Sequence, residues 1–161
     1  MSTPVYSAHL GYMFTEYPLE ERFAAAARAG FTHVEHPGPY ALPAARVREL
    51  CAEHALTFVQ MALPAGDPAR GAKGLAALPG RESDFAAARE TPPDYAKALE
   101  CRTLHVMSGM IAPGADTSAM HRTFVSNLRK ACDRTANSGI TLVLEPINHR
   151  DIPGYFTNTT D

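Results

Sequence analysis

The stretch LVLEPINHRD, residues 142–151, places a carboxylate (Glu145), an amide (Asn148), a guanidinium (Arg150) and a second carboxylate (Asp151) within a few positions of one another. An arginine grips a carboxylate through two parallel N–H donors, and an amide can meet a hydroxyl. Asn148 and Arg150 could therefore reach a carboxylate or hydroxyl of a substrate. Asn148 and Arg150 can equally cap the turn beyond Pro146, and Asp151 is a weaker candidate of the same kind. Glu145 ends an apolar run, where a charge is rarely buried without a partner. It is either a site group or a strand-end residue turned to solvent or paired with an arginine, and the residues alone leave both readings open. His105, within LHVM, could face the mouth of its strand and contact substrate, or sit satisfied in the core. His33 and His36 have a ligand-like spacing, but on a strand they point to opposite faces, which excludes a metal pair.

Strand-like and helix-like segments alternate around these residues. Strands are expected at 4–10, 31–37, 56–63, 102–109 and 140–148, the last of them carrying Glu145. Its period of two sends Thr141, Val143 and Glu145 to one side and Leu142 and Leu144 to a helix-packed side. Helices are expected at 18–30, 43–54, around 84–99 with a break or kink at Pro92 and Pro93, and at 116–139. Glu20 and Glu21 suit the N-terminal end of the first helix, and Gly30 suits its end. In the last helix Asp116, Thr117 or Ser118 serves as cap, and Met120, Phe124, Leu128 and Ala131 form the inner stripe. The Gly- and Pro-rich stretch 64–84 is longer than most connections and reads as functional or mobile. Alternating strands and helices indicate βαβ units and a parallel sheet, either doubly wound or closed as a barrel. Neither GxGxxG after the first strand nor GxxxxGK[ST] is present, so the nucleotide-binding open sheets lack their fingerprint.

The chain has 161 residues, 45% of them apolar and 20% charged, with a formal net charge of −2. One domain over 1–161 is expected. The charge gives no case for nucleic acid or an anionic membrane surface as partner, and no run approaches the length needed to span a bilayer. The N-terminus lacks the basic start of a signal peptide. Cys51, Cys101 and Cys132 are isolated, which fits a reducing compartment and a cytoplasmic location.

LVLEPINHRDIPGYF resembles the fifth-strand motif of the hydroxypyruvate isomerase family, among the xylose-isomerase-like (β/α)₈ barrels. SAHLGYMFTEYPLEERFAAAARAGF, VEHPGPY, LPAGDPARGAKGLAALPGRESDF and LHVMSG are similar to its first four βα units. The resemblance implies a TIM-type parallel barrel, of which this chain carries about five of eight units and ends where three further strands would follow. It implies interconversion of hydroxypyruvate and tartronate semialdehyde, or of a 2-oxo-tetronate pair, by proton transfer through a cis-enediolate. Glu145 is then both an acid/base glutamate and a ligand of a divalent cation, Mg²⁺ or Mn²⁺. Hard cations want about six oxygen ligands, so one carboxylate does not hold the ion alone. His105, Asn148 and Arg150 are the substrate-binding candidates, and a homo-oligomer covering the open barrel edge is the expected partner. The alternatives are a non-catalytic fragment of such an enzyme and a sugar epimerase of the same superfamily. A nuclease of that superfamily is disfavoured, since the strands lack a basic surface and a His-rich metal set.

Overall fold

A computed structural model of the chain describes residues 4–160. Five strands form one parallel sheet in the order β1-β2-β3-β4-β5, with β1 and β5 not neighbours, so the sheet is an incomplete barrel. The strands are β1 (Ser7–His9), β2 (His33–Glu35), β3 (Thr57–Ala62), β4 (Thr103–His105) and β5 (Thr141–Val143). They follow the expected sequential order and are shorter than the expected segments. The chain divides into two compact units, residues 4–61 with 94–103, and 62–93 with 104–160.

In the first unit β1 and β2 pair Ser7 with His33, Ala8 with Val34 and His9 with Glu35. Between β2 and β3 the register slips between Val34 and Glu35, so that Glu35 faces Gln60. Helices α1 (Leu19–Arg28) and α2 (Ala44–Glu53) cover one face. Ala8, Phe23, Ala26, Val34, Val47 and Met61 are buried in this unit. Helix α1 ends as the sequence indicates. Gly30 has φ +89°, its N–H reaches the Ala27 carbonyl at 3.0 Å, and the Phe31 N–H reaches Ala26 at 3.1 Å. That double closure needs a left-handed residue, which glycine adopts without a Cβ penalty.

The helix expected around 84–99 is two helices, α3 (Glu82–Ala88) and α4 (Pro92–Ala98). Proline has no N–H, and at the start of a helix none is needed, so Pro92 and Pro93 open α4.

In the second unit α5 (Thr117–Thr135) begins at Asp116, whose Oδ1 accepts from the N–H groups of Ser118 at 2.9 Å and Ala119 at 3.0 Å. Met120, Phe124 and Ala131 are buried as expected, Leu128 of the same expected stripe is only half-buried, and Asn127 is buried in addition. The middle of the stretch 64–84 is packed against the segment after β4. Gly74 bridges Ser108, the Ala77 N–H reaches the Ser108 carbonyl at 2.7 Å, and Leu75, Ala76 and Ala77 are buried.

β5 is a correction. It stops at Val143, two residues short of Glu145. Its last bond to β4's continuation is Val106 N–H to the Val143 carbonyl, 2.9 Å. Pro146 cannot donate to a ladder, and it restricts the residue before it. Leu144 is 46% exposed and Leu142 half-buried, so the leucines do not pack under a helix as alternation suggests. β5 is the last strand of the sheet and has a neighbour on one side only.

Candidate functional site

The chemistry-bearing residues of the second unit lie at the end of β4 and beyond the end of β5. His105 closes β4 between buried Leu104 and Val106 and is 7% exposed. Its backbone carbonyl accepts from the Leu63 N–H at 2.9 Å, which fixes the strand around it. Its Nε2 is buried with no hydrogen-bond partner. Burial holds the imidazole below its ordinary pKa, and the charge of Glu145 acts in the opposite direction. Glu145 itself is exposed. The structure therefore brings a solvent-reachable carboxylate into electrostatic range of a buried, neutral-leaning imidazole.

Asn148 and Arg150 lie on the turn that follows Glu145. Asn148 Oδ1 accepts from the backbone N–H groups of Arg150 at 3.0 Å and Asp151 at 3.1 Å, and its Nδ2 donates to Asp151 Oδ2 at 2.6 Å. Asn148 caps the turn, an Asx-type closure, and this occupies Asp151 as well. Arg150 stands exposed on that turn.

Three residues that sequence reasoning did not single out hold this segment in place. Tyr155 is fully buried, and its hydroxyl oxygen accepts from the Ser108 N–H at 3.0 Å. Thr157 Oγ1 donates to Ser108 Oγ at 3.0 Å, while the Thr157 carbonyl accepts from the Ile147 N–H at 3.0 Å. Ile111 N–H to Gly154 and Phe156 N–H to Gly109, at 2.8 and 2.9 Å, complete the return of the chain along residues 109–111. The Phe156 ring meets Phe124 edge-on, with centroids 5.6 Å apart. The EPIN segment is thus tied to the end of β4 through Ser108. No local spacing announces the two Ser108 bonds, because Tyr155 and Thr157 lie 47 and 49 residues from it.

Among the described residues no three His, Cys, Asp or Glu side chains come together to hold a metal ion. The residues present do not fit a complete divalent-cation site. Among the described residues, too, no helix is long and apolar enough to cross a membrane.

A sequence profile of the xylose isomerase-like TIM barrel matches residues 23–161. The chain belongs to that family. Among its relatives it is 41% identical over 158 residues to a 2-oxo-tetronate isomerase of Cupriavidus necator, covering 98% of this chain and 61% of that protein. It is 37% identical over 155 residues to hydroxypyruvate isomerase of Escherichia coli, covering 96% and 60%. A crystal structure described as an AP endonuclease, family 2, from Brucella melitensis superposes with a TM-score of 0.91 at 45% identity, covering 96% of this chain and 59% of that one. The chain spans about three fifths of the length of these curated relatives.

Proposed function

We propose that this chain supplies the Glu145 part of the proton-transfer site of an isomerase acting on a short 2-oxo acid, hydroxypyruvate or a 2-oxo-tetronate. The observation that carries the reading is the pairing of an exposed Glu145 with a buried His105 whose Nε2 has no partner. The relatives named for these isomerisations supply the substrate class.

In the forward direction the Glu145 carboxylate takes a proton from C3, the carbon next to the C2 carbonyl. The electron pair left behind forms a C2–C3 double bond, and the C2 oxygen takes up negative charge as a cis-enediolate. The proton is returned to the C2 carbon and the C3 hydroxyl proton passes to the C2 oxygen, which leaves a hydroxyl at C2 and a carbonyl at C3. Hydroxypyruvate then becomes tartronate semialdehyde, with atoms and charge conserved. A neutral His105 Nε2–H is suited to donate toward the developing oxyanion, since preorganised donors where charge develops lower the barrier most. Glu145 is also the ligand this chain would lend to a Mg²⁺ or Mn²⁺ ion, whose remaining ligands the described residues do not supply.

The test is deuterium wash-in at C3 of hydroxypyruvate and of 2-oxo-tetronate in D₂O, followed by proton NMR. Exchange is expected at least tenfold faster with the wild-type chain than with Glu145→Gln, which corresponds to about 1.4 kcal/mol. Equal rates would remove Glu145 from the role of base.

A further inference from the structure

Glu145 sits on a strap that is anchored at both ends, and the strap and its anchors lie within the second unit. Leu144, Glu145 and Pro146 are exposed, so packing does not hold them. Pro146 has no N–H to donate. The position of the carboxylate therefore depends on the hydrogen bonds that flank it. On one side the Val143 carbonyl accepts from the Val106 N–H at 2.9 Å. On the other the Ile147 N–H donates to the Thr157 carbonyl at 3.0 Å. The first anchor fastens the strap to the residue next to His105. The second fastens it to Thr157, which lies outside the strands of the sheet.

Ser108 holds Thr157 in turn. Its Oγ is met by the Thr157 hydroxyl at 3.0 Å and by the Thr157 N–H at 3.3 Å. Ser108 has no solvent exposure. Its N–H donates to the Tyr155 hydroxyl at 3.0 Å, and its carbonyl accepts from the Ala77 N–H at 2.7 Å. A serine whose main chain is fixed on both sides presents its hydroxyl at a defined point. Both ends of the strap thus return to residues 106–108, the segment that continues from His105. The charge of Glu145 acts on the buried His105 imidazole, as this closeness requires.

A swing of the far end of the strap would alter the spacing of carboxylate and imidazole. Proton transfer is sensitive to such spacing, and a misplacement of about 1 Å can cost roughly a hundredfold in rate. We propose that Ser108 and Thr157 are positioning residues, whose paired hydroxyls hold the Glu145 carboxylate at its working distance from His105. They act through Glu145. The effect on catalysis rests on the isomerase reading above, whereas the effect on geometry does not. A bond serving stability alone would lower the unfolding midpoint and leave the rate of the folded chain unchanged.

The experiment compares Thr157→Val, which keeps the shape and loses the hydroxyl, with Thr157→Ser, which keeps the hydroxyl, and with Ser108→Ala. Deuterium wash-in at C3 of hydroxypyruvate is measured on each folded 161-residue chain over a range of concentrations. The maximal rate of Thr157→Val is expected to fall roughly tenfold or more, with the half-saturating concentration little changed. Thr157→Ser should keep most of the wild-type rate. The double variant of Thr157→Val with Ser108→Ala should be no slower than the slower single one, because both act through one bond. Should Ser108→Ala fail to fold, the two Thr157 variants carry the test, since Thr157 is only half-buried. In a second series Glu145→Gln is introduced into wild type, Thr157→Val and Thr157→Ser, and the resulting change in the His105 ring signals is read by NMR, at a pH where the imidazole is neutral and the carboxylate charged. That change should shrink by about half or more in Thr157→Val and recover in Thr157→Ser. Glu145-dependent wash-in that is unchanged in Thr157→Val, a loss that Thr157→Ser does not restore, or additive losses in the double variant would overturn the positioning role and leave the isomerase reading standing. Absence of Glu145-dependent wash-in in wild type would remove the isomerase reading, and the ring signals then decide alone. A Glu145→Gln change equal in the wild-type and Thr157→Val backgrounds overturns the positioning, and a smaller one in Thr157→Val upholds it.

Discussion

The hydroxyl of Tyr155, a side chain with no solvent exposure, accepts the backbone N–H of Ser108 across 47 residues of sequence at 3.0 Å. This bond ties the segment after Glu145 to the end of the strand that bears His105. Tyr155→Phe keeps the ring and removes the acceptor, leaving a buried N–H unpaired. The expected loss is about 1–3 kcal/mol, read as a lowered midpoint in urea unfolding. An unchanged midpoint would mean that the bond carries no net stability.

Gly74 makes a second prediction. It has φ +122°, and a Cβ there would run into the Met107 carbonyl and come 2.7 Å from the Gly109 N. Both obstacles are backbone and cannot swing aside. Gly74→Ala should therefore cost at least the 1–3 kcal/mol typical of backbone strain, roughly, and should loosen the 74–77 stretch from residues 107–108. Hydrogen exchange at Ala77, whose N–H is bonded to Ser108, reports this directly. Protection equal to wild type would count against it.

These two positions also show what could and could not be read beforehand. Signals confined to a few residues were legible: Asp116 as the cap of α5, Gly30 as the stop of α1, and Pro92–Pro93 as a break. The order of the strands followed from the βα alternation. Helical spacing placed Met120, Phe124 and Ala131 inside but passed over Asn127, which is buried because its amide donates to the Ala76 carbonyl at 3.0 Å. A polar residue belongs in a core only when its partner is present, and this partner lies 51 residues away. Alternation overextended β5, since the ladder ends before Pro146. For the candidate site, the chain places Glu145 past the end of β5 and His105 at the end of β4, and the electrostatic influence of one on the other appears only in three dimensions. Asn148 was recognised as either clamp or cap, and the structure makes it a cap.

His36 sets an acid sensitivity. Its folded value is about 4 against an ordinary 6.5, lowered by burial first and then by the charges of His9 and Arg22. Above pH 6.5 the ring is neutral in both folded and unfolded chains. Between 6.5 and 4 the unfolded chain binds the proton and the fold resists it, so stability falls as pH falls through that window. Linkage sets the loss at up to about 3 kcal/mol, reduced by the solvent screening of a partly exposed ring. His36→Leu, with no proton to bind, should lose less stability than wild type between pH 6.5 and 4 in parallel denaturation series. Parallel curves for the two proteins would contradict the assignment.

The last prediction concerns the 161-residue polypeptide purified alone. β1 and β5 each pair on one side only in the sheet, and unpaired strand edges invite association. Near them Val5 is 66%, Tyr6 73% and Leu144 46% exposed. Burying one such side chain contributes roughly 1.5–3 kcal/mol, which is substantial against a total stability of about 5–15 kcal/mol. A second copy covering an edge would gain from several of them at once. The proton shift, for its part, needs a group to return the proton as well as one to take it. No three-ligand set for a cation forms among the described residues, and the chain spans three fifths of the length of its relatives. The chain is therefore expected to be dimeric or larger by light scattering. Leu144→Lys should shift it toward monomer, and net conversion of hydroxypyruvate should stay at background with or without added Mg²⁺ or Mn²⁺. A monomer that turns over hydroxypyruvate at steady state would refute both halves of this expectation.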